Sequence, residues 1–118
     1  MFLFSPIFFD DKLLGFSATV AHHLDLGGGA PGLNPEATDI HQEGIIFPPS
    51  KYNQARDWNG GPLERLVRAN IRVPDQTIGD FNAQFAANAI GARRVSDLCK
   101  KFGTERVRTS MRELLAYS

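Results

Sequence analysis

Seven of the eleven glycines and five of the seven prolines in this 118-residue chain lie between Gly27 and Pro62. Neither residue suits the interior of a helix or strand. Glycine gives up too much conformational freedom, and proline lacks an N–H and fixes φ. Gly27 to Pro35 alone holds four glycines and two prolines, so this stretch is loop. Regular structure is confined to the residues before it and, mainly, to those after Pro62.

Before the loop, Ile7-Phe8-Phe9 and Leu13 to Val20 are β-rich runs separated by Asp10-Asp11-Lys12, a hairpin turn sequence. The abrupt apolar start, Met1-Phe2-Leu3-Phe4, makes residues 3 to 9 a buried strand whose neighbours are expected upstream, as in a piece of a longer protein. In the second run Leu14, Phe16, Ala18 and Val20 alternate with Gly15, Ser17 and Thr19, the period of a half-buried strand. Ile45-Ile46-Phe47 reads as a short third strand stopped by Pro48-Pro49. Three helices are expected beyond. One runs from Pro62 to about Ile71, with Leu63, Leu66, Val67 and Asn70 on one face, and Pro74 ends it. A second, capped by Asp75 or Thr77, carries Phe81, Phe85, Ala89, Ala92, Val95, Cys99 and Phe102 at helical spacing. After Gly103 a third begins at Thr104, with Val107, Met111, Leu114 and Leu115 inward. The expected architecture is α+β: an N-terminal β-hairpin and Gly/Pro-rich loop region over residues 1–61, then three helices over 62–118, together one partial domain.

Composition narrows the function. With 42% hydrophobic and 22% charged residues the chain is neither a disordered tail nor a fibrous polymer. It has no run of the roughly 18 to 20 apolar residues that a membrane span requires, and nothing that reads as a secretory signal. Thirteen basic and thirteen acidic residues cancel, so there is no global field to draw nucleic acid or an anionic membrane. Arg65, Arg68, Arg93 and Arg94, interleaved with acids, read as solvated helix faces. The single cysteine, Cys99, excludes a disulfide framework and a multi-cysteine zinc site. Its place in the apolar stripe marks it as packed. A cytoplasmic protein is expected.

Three constellations carry chemistry. His22-His23-Leu24-Asp25-Leu26-Gly27-Gly28-Gly29 places two imidazoles and a carboxylate at a strand end, ahead of glycines. Imidazole with carboxylate suits a divalent transition metal or a general-base pair, and the Gly27, Gly28 and Gly29 amides suit an anion. The alternation sends His22 and His23 to opposite faces. The competing reading is a hairpin end with solvated histidines and a turn. His41 and Glu43, in Asp39-Ile40-His41-Gln42-Glu43-Gly44, are the nearest further ligands. At the junction of the first two helices Arg72 is placed to clamp a carboxylate or phosphate, or to pair with Asp80. Gln84 and Asn88, one turn apart, mark a polar pocket or a buried hydrogen-bond network.

Taken together these residues resemble the hydantoinase B/oxoprolinase family. Ala21-His22-His23-x-Asp25-x-Gly27-Gly28, Ala30-Pro31-Gly32, Gln42-Glu43-Gly44-Ile45 and Pro48-Pro49-x-Lys51 carry the likeness. Ala69-Asn70-x-Arg72-x-Pro74, Gly79-Asp80-x-x-Ala83-Gln84-x-Ala86-Ala87-Asn88 and Gly91-x-Arg93-Arg94 continue it in order. The resemblance implies a fragment of the catalytic B-type subunit of an ATP-dependent cyclic-amide hydrolase that opens a hydantoin or 5-oxoproline ring. The alternatives are an acetone or acetophenone carboxylase subunit, or a non-catalytic remnant that acts by assembly. It implies a hydantoinase A-type partner that binds the ATP, a small cyclic-amide substrate, and a homo-oligomer as a possible assembly. His22, His23, Asp25, Gln84 and Asn88 would then be catalytic. Gly27, Gly28, Gly29 and Arg72 would bind substrate or anion. His22 and Asp25, with His41 by proximity, would ligate manganese, zinc or iron.

Overall fold

In the computed structural model, residues 1–32 and 34–118 are described, and the architecture is α+β. Strands β1 (Phe2–Phe9) and β2 (Lys12–Val20) form an antiparallel ribbon. After it come a 3₁₀ turn at Ile40–Glu43 and four helices: α1 (Gln54–Asp57), α2 (Pro62–Asn70), α3 (Pro74–Phe102) and α4 (Thr104–Tyr117). The three long helices are those expected from the sequence, except that α3 begins at Pro74, so Asp75 and Thr77 lie inside its first turn instead of capping it, and α1 is an addition. Ile45 to Phe47 is not a strand: its one ladder-like bond, Ile45 N–H to the Leu26 carbonyl at 2.8 Å, ties loop to loop. No helix among the described residues is long and apolar enough to cross a membrane.

The hairpin closes through Asp10 and Asp11, both at positive φ (48° and 56°). This is the pattern of a two-residue type I′ turn, whose twist matches that of the strands, and aspartate tolerates it better than most side chains. Phe9 therefore pairs with Lys12, and the register runs to Phe2 opposite Val20 with one irregularity after Ile7.

The chain forms two compact units, one of Met1 with residues 21–83 and the other of residues 2–20 with 84–118. In the second unit the inner face of the ribbon lies against the later turns of α3; Ile7 of β1 is buried there, and three hydrogen bonds join ribbon and helix. The fully buried Asn88 accepts a hydrogen bond from Ser17 Oγ (3.3 Å) and donates Nδ2–H to the Leu3 carbonyl (3.2 Å). Gln84 donates to Thr19 Oγ1 at 3.4 Å. A Cβ on Gly91 would come within 2.5 Å of Ser17 Oγ, so glycine lets strand and helix approach. Gln84 and Asn88 thus belong to the buried network that one sequence reading allowed.

The face this leaves outside is unexpected. Of the apolar set of the β2 alternation, Phe16, Ala18 and Val20 are exposed and Leu14 is half-buried, while Ser17 and Thr19 face the helix. On β1 Phe4, Pro6 and Phe8 are exposed as well, so residues 3 to 9 are not the buried strand expected. Of the inward set expected for α4 only Val107 is buried; Met111, Leu114 and Leu115 are exposed. Cys99 is buried, as its place in the stripe implied, and Gly103 (φ 83°) ends α3 with its N–H on the Cys99 carbonyl at 2.9 Å.

Replacing Asn88 by alanine strands the Leu3 carbonyl and the Ser17 hydroxyl in a partly buried place. The expected loss is about 2 kcal/mol of unfolding free energy, read from urea denaturation.

Candidate functional site

The first unit is built around aromatic side chains and one buried carboxylate. Phe81, wholly buried, is stacked against the His23 imidazole (centroids 4.2 Å apart) and meets Trp58 at 4.9 Å and Phe47 at 6.2 Å. Trp58 reaches this position through the turn after α1, where Asn59 and Gly60 take positive φ, and its Nε1–H donates to Asn82 Oδ1 at 2.9 Å. Val67, Ile71 and Ile78 complete the apolar core. At the end of β2 the extended chain turns His22 outward and His23 inward, so the two imidazoles separate as their adjacency predicted.

Asp25 is fully buried. Its Oδ1 accepts the Gly27 N–H and the Arg72 Nη1–H, each at 2.9 Å, and its Oδ2 accepts the Arg72 backbone N–H. The same guanidinium donates Nη2–H to the Gly28 carbonyl at 2.7 Å, and Thr77 Oγ1–H reaches the Asp25 carbonyl at 3.2 Å. Arg72 does clamp a carboxylate, but that of its own chain, 47 residues away. Its partner is Asp25, not Asp80. Burial pushes the Asp25 carboxyl up, but the N–H groups of Arg72 and Gly27 and the Arg72 guanidinium outweigh it and hold it below the ordinary aspartate value.

The glycine run is explained by close approach of loops. Gly27 and Gly28 sit at φ 85° and 77°, and a Cβ on Gly27 would lie 2.6 Å from the Asn70 carbonyl oxygen. On Gly28 it would strike the backbone of Gln42 and Gly44. Two bonds stitch this run to the 42–45 loop: Gly29 N–H to the Gln42 carbonyl at 2.9 Å, and Ile45 N–H to the Leu26 carbonyl. The amides of Gly27 and Gly29 are thus already spent within the chain.

The remaining sequence-assigned residues stand apart. His41 is exposed in the 3₁₀ turn, its backbone N–H capped by Asp39 Oδ1 at 2.8 Å. His22 is exposed, and Gln84 and Asn88 belong to the other unit. Among the described residues no group of three His, Cys, Asp or Glu side chains is gathered as a metal site, and both Asp25 oxygens already accept hydrogen bonds. His22, Asp25 and His41 as placed here therefore do not fit a bound ion by themselves. An open groove of about 470 Å³ lies elsewhere in this unit, lined by Lys51, Tyr52, Arg56, Leu63 and Leu66 among others, and none of the assigned residues faces it. Sequence reading missed the Thr77 bond to the Asp25 carbonyl. A buried Thr at the fourth position of a Pro-initiated helix was the available signal.

Because Asp25 titrates below its unfolded value, its stabilisation is complete above about pH 4 and is lost as pH falls through the lower folded pKa. Asp25→Asn puts an N–H₂ among donors and is expected to cost about 2 kcal/mol at neutral pH. The variant's Tm should also fall less steeply on acidification than that of the parent. Gly27→Ala, with a left-handed φ and a carbonyl in its path, is expected to lower stability by more than ~1 kcal/mol in the same melts.

Comparison with known proteins places these residues in a wider group. The family model described as Hydantoinase B/oxoprolinase matches residues 1–118. An uncharacterised protein of Methanocaldococcus jannaschii is 40% identical over 98% of this chain and 21% of its own length. The provisionally named B-type subunit of a D-/L-hydantoinase of Pseudomonas sp. is 39% identical over 96% of this chain and 19% of its own. The beta subunit of the caprolactamase of Pseudomonas jessenii is 32% identical over 95% and 19%. The chain therefore spans about a fifth of the length of the curated relatives it matches. No solved structure gives a significant match.

Proposed function

Since the chain belongs to the hydantoinase B/oxoprolinase family over its whole length, we propose that it is part of the B-type subunit of an ATP-dependent cyclic-amide hydrolase. The single observation that carries this reading is that the family match runs through the His22 to Gly29 segment, the one place where imidazoles, a buried carboxylate and a fixed glycine loop follow one another. The names of two relatives, a hydantoinase subunit and a caprolactamase subunit, support a ring with an internal amide as substrate.

In this proposal an A-type partner binds the ATP and transfers its γ-phosphoryl group to the ring carbonyl oxygen. Water then adds to the activated carbon, the ring C–N bond breaks with the nitrogen taking a proton, and a second water hydrolyses the resulting acyl phosphate to the carboxylate and phosphate. What this chain supplies is placement and a proton acceptor. The exposed His22 imidazole takes the proton of the attacking water. Buried His23, stacked on Phe81, and Asp25, held by Arg72, fix the backbone on either side of Leu24 and so set where His22 stands. Arg72 acts through Asp25 and the Gly28 carbonyl, so it shapes the anion-facing loop from behind. Gln84 and Asn88 hold the ribbon against α3 and contribute through that support.

The metal expectation continues in narrower form. A manganese, zinc or iron ion would take its donors from the rest of a family-length protein, since both Asp25 oxygens are already bonded and no three His, Cys, Asp or Glu side chains are gathered among the described residues. The isolated chain is expected to gain no Tm on titration with these ions.

The decisive assay uses a chimera, this chain substituted for the matching segment of a family-length B-type subunit, with an A-type partner, ATP and a hydantoin, 5-oxoproline or caprolactam. ATP-dependent ring opening is expected, and His22→Ala should lower kcat at least ~100-fold with an unchanged Tm, because His22 is exposed. A chimera that folds and assembles but opens no ring, or that instead turns over a ketone with bicarbonate, overturns the proposal.

A further inference from the structure

The outer face of the β1–β2 ribbon is a continuous apolar surface. Phe2, Phe4, Phe8, Phe16 and Val20 are 69%, 64%, 58%, 59% and 61% exposed, and Pro6, Leu13 and Ala18 lie exposed among them. The register places Phe2 across from Val20, Phe4 from Ala18, Pro6 from Phe16 and Phe8 from Leu13. Together they make two parallel apolar rows with no charged side chain in either. The Phe2 and Phe4 rings are already stacked, 6.4 Å apart and 8° from parallel. Water gains little by contacting such a face, and monomeric proteins seldom leave one open.

We propose that this face is the contact surface of a two-fold dimer of the chain, ribbon packed on ribbon. Three observations favour a second copy as the occupant. The four phenylalanines expose on the order of 500 Å² (at ~200 Å² per ring side chain), and their aliphatic neighbours bring the patch near the ~800 Å² that each partner buries in a stable pair. A face without charges meets its own copy without burying an unpaired ion, which a two-fold contact of like surfaces would otherwise double. The inner face of the same ribbon is fixed by Asn88, Gln84 and Gly91, so the outer rows are held in register, ready to stack at the ~10 Å spacing of packed sheets.

Sedimentation equilibrium on the 118-residue chain over a wide concentration range tests this. A reversible monomer–dimer equilibrium is expected. Phe4→Ser with Phe16→Ser should raise its dissociation constant ~100-fold while the far-ultraviolet circular dichroism stays unchanged, both side chains being exposed. Should that double variant unfold, Val20→Lys serves in its place, placing two like charges in the contact. Leu115→Ser on α4 should leave the equilibrium as it is. A monomer at every concentration assigns the face to another segment of a family-length protein and overturns the proposal. So does mass that grows without limit, a dimer indifferent to the ribbon variants, or a dimer dissolved by Leu115→Ser.

Discussion

The buried carboxylate of Asp25 is the interaction on which the first compact unit depends. An isolated aspartate removed from water is costly, and here three donors offset that cost: the amides of Gly27 and Arg72 and the Arg72 guanidinium. Two of the donors belong to Arg72, 47 residues along the chain, and the third to the adjoining glycine loop, so satisfying one charge fixes several segments. The His22 to Gly29 run, the end of α2 and the start of α3 are joined at a point, and Thr77 adds a further tie through the Asp25 carbonyl. The glycines follow from this. Once the loop is drawn against Asn70, Gln42 and Gly44, there is no space for a Cβ at positions 27 and 28.

The second unit is organised on the opposite principle. Its helix presents amides to the ribbon, and the ribbon answers with Ser17, Thr19 and a backbone carbonyl, so on β2 the face toward the helix is the polar one. These hydrogen bonds hold the facing, since a buried amide left unpaired is costly. The apolar face is left for another surface to cover.

Under the proposed function these two arrangements have a sense. The segment with the imidazoles is held at Asp25 and His23 and exposed at His22. Arg72 would set the loop through Asp25 and the Gly28 carbonyl rather than by touching a substrate.

Much of this was legible in the amino-acid order. The Asp10-Asp11 turn, the three long helices, the packed Cys99 and the separation of His22 from His23 follow from local stereochemistry and period, and the His22 to Gly29 run marked itself as the centre of interest. Other features required partners far along the chain. Ile45 to Phe47 has strand composition, but no neighbouring strand among the described residues offers it a ladder, and a single bond to Leu26 uses its register. The period of β2 fixes which residues share a face but not which face meets the helix, since that depends on Asn88 and Gln84 some 65 to 71 positions later. Sequence reasoning paired Arg72 with Asp80, eight positions on, whereas the fold delivered Asp25, 47 positions back. The sequence by itself determined the elements, the family and the segment that carries imidazole and carboxylate. Only the tertiary structure decided that Asp25 belongs to Arg72 and that the phenylalanines face outward, because both depend on contacts between segments tens of residues apart.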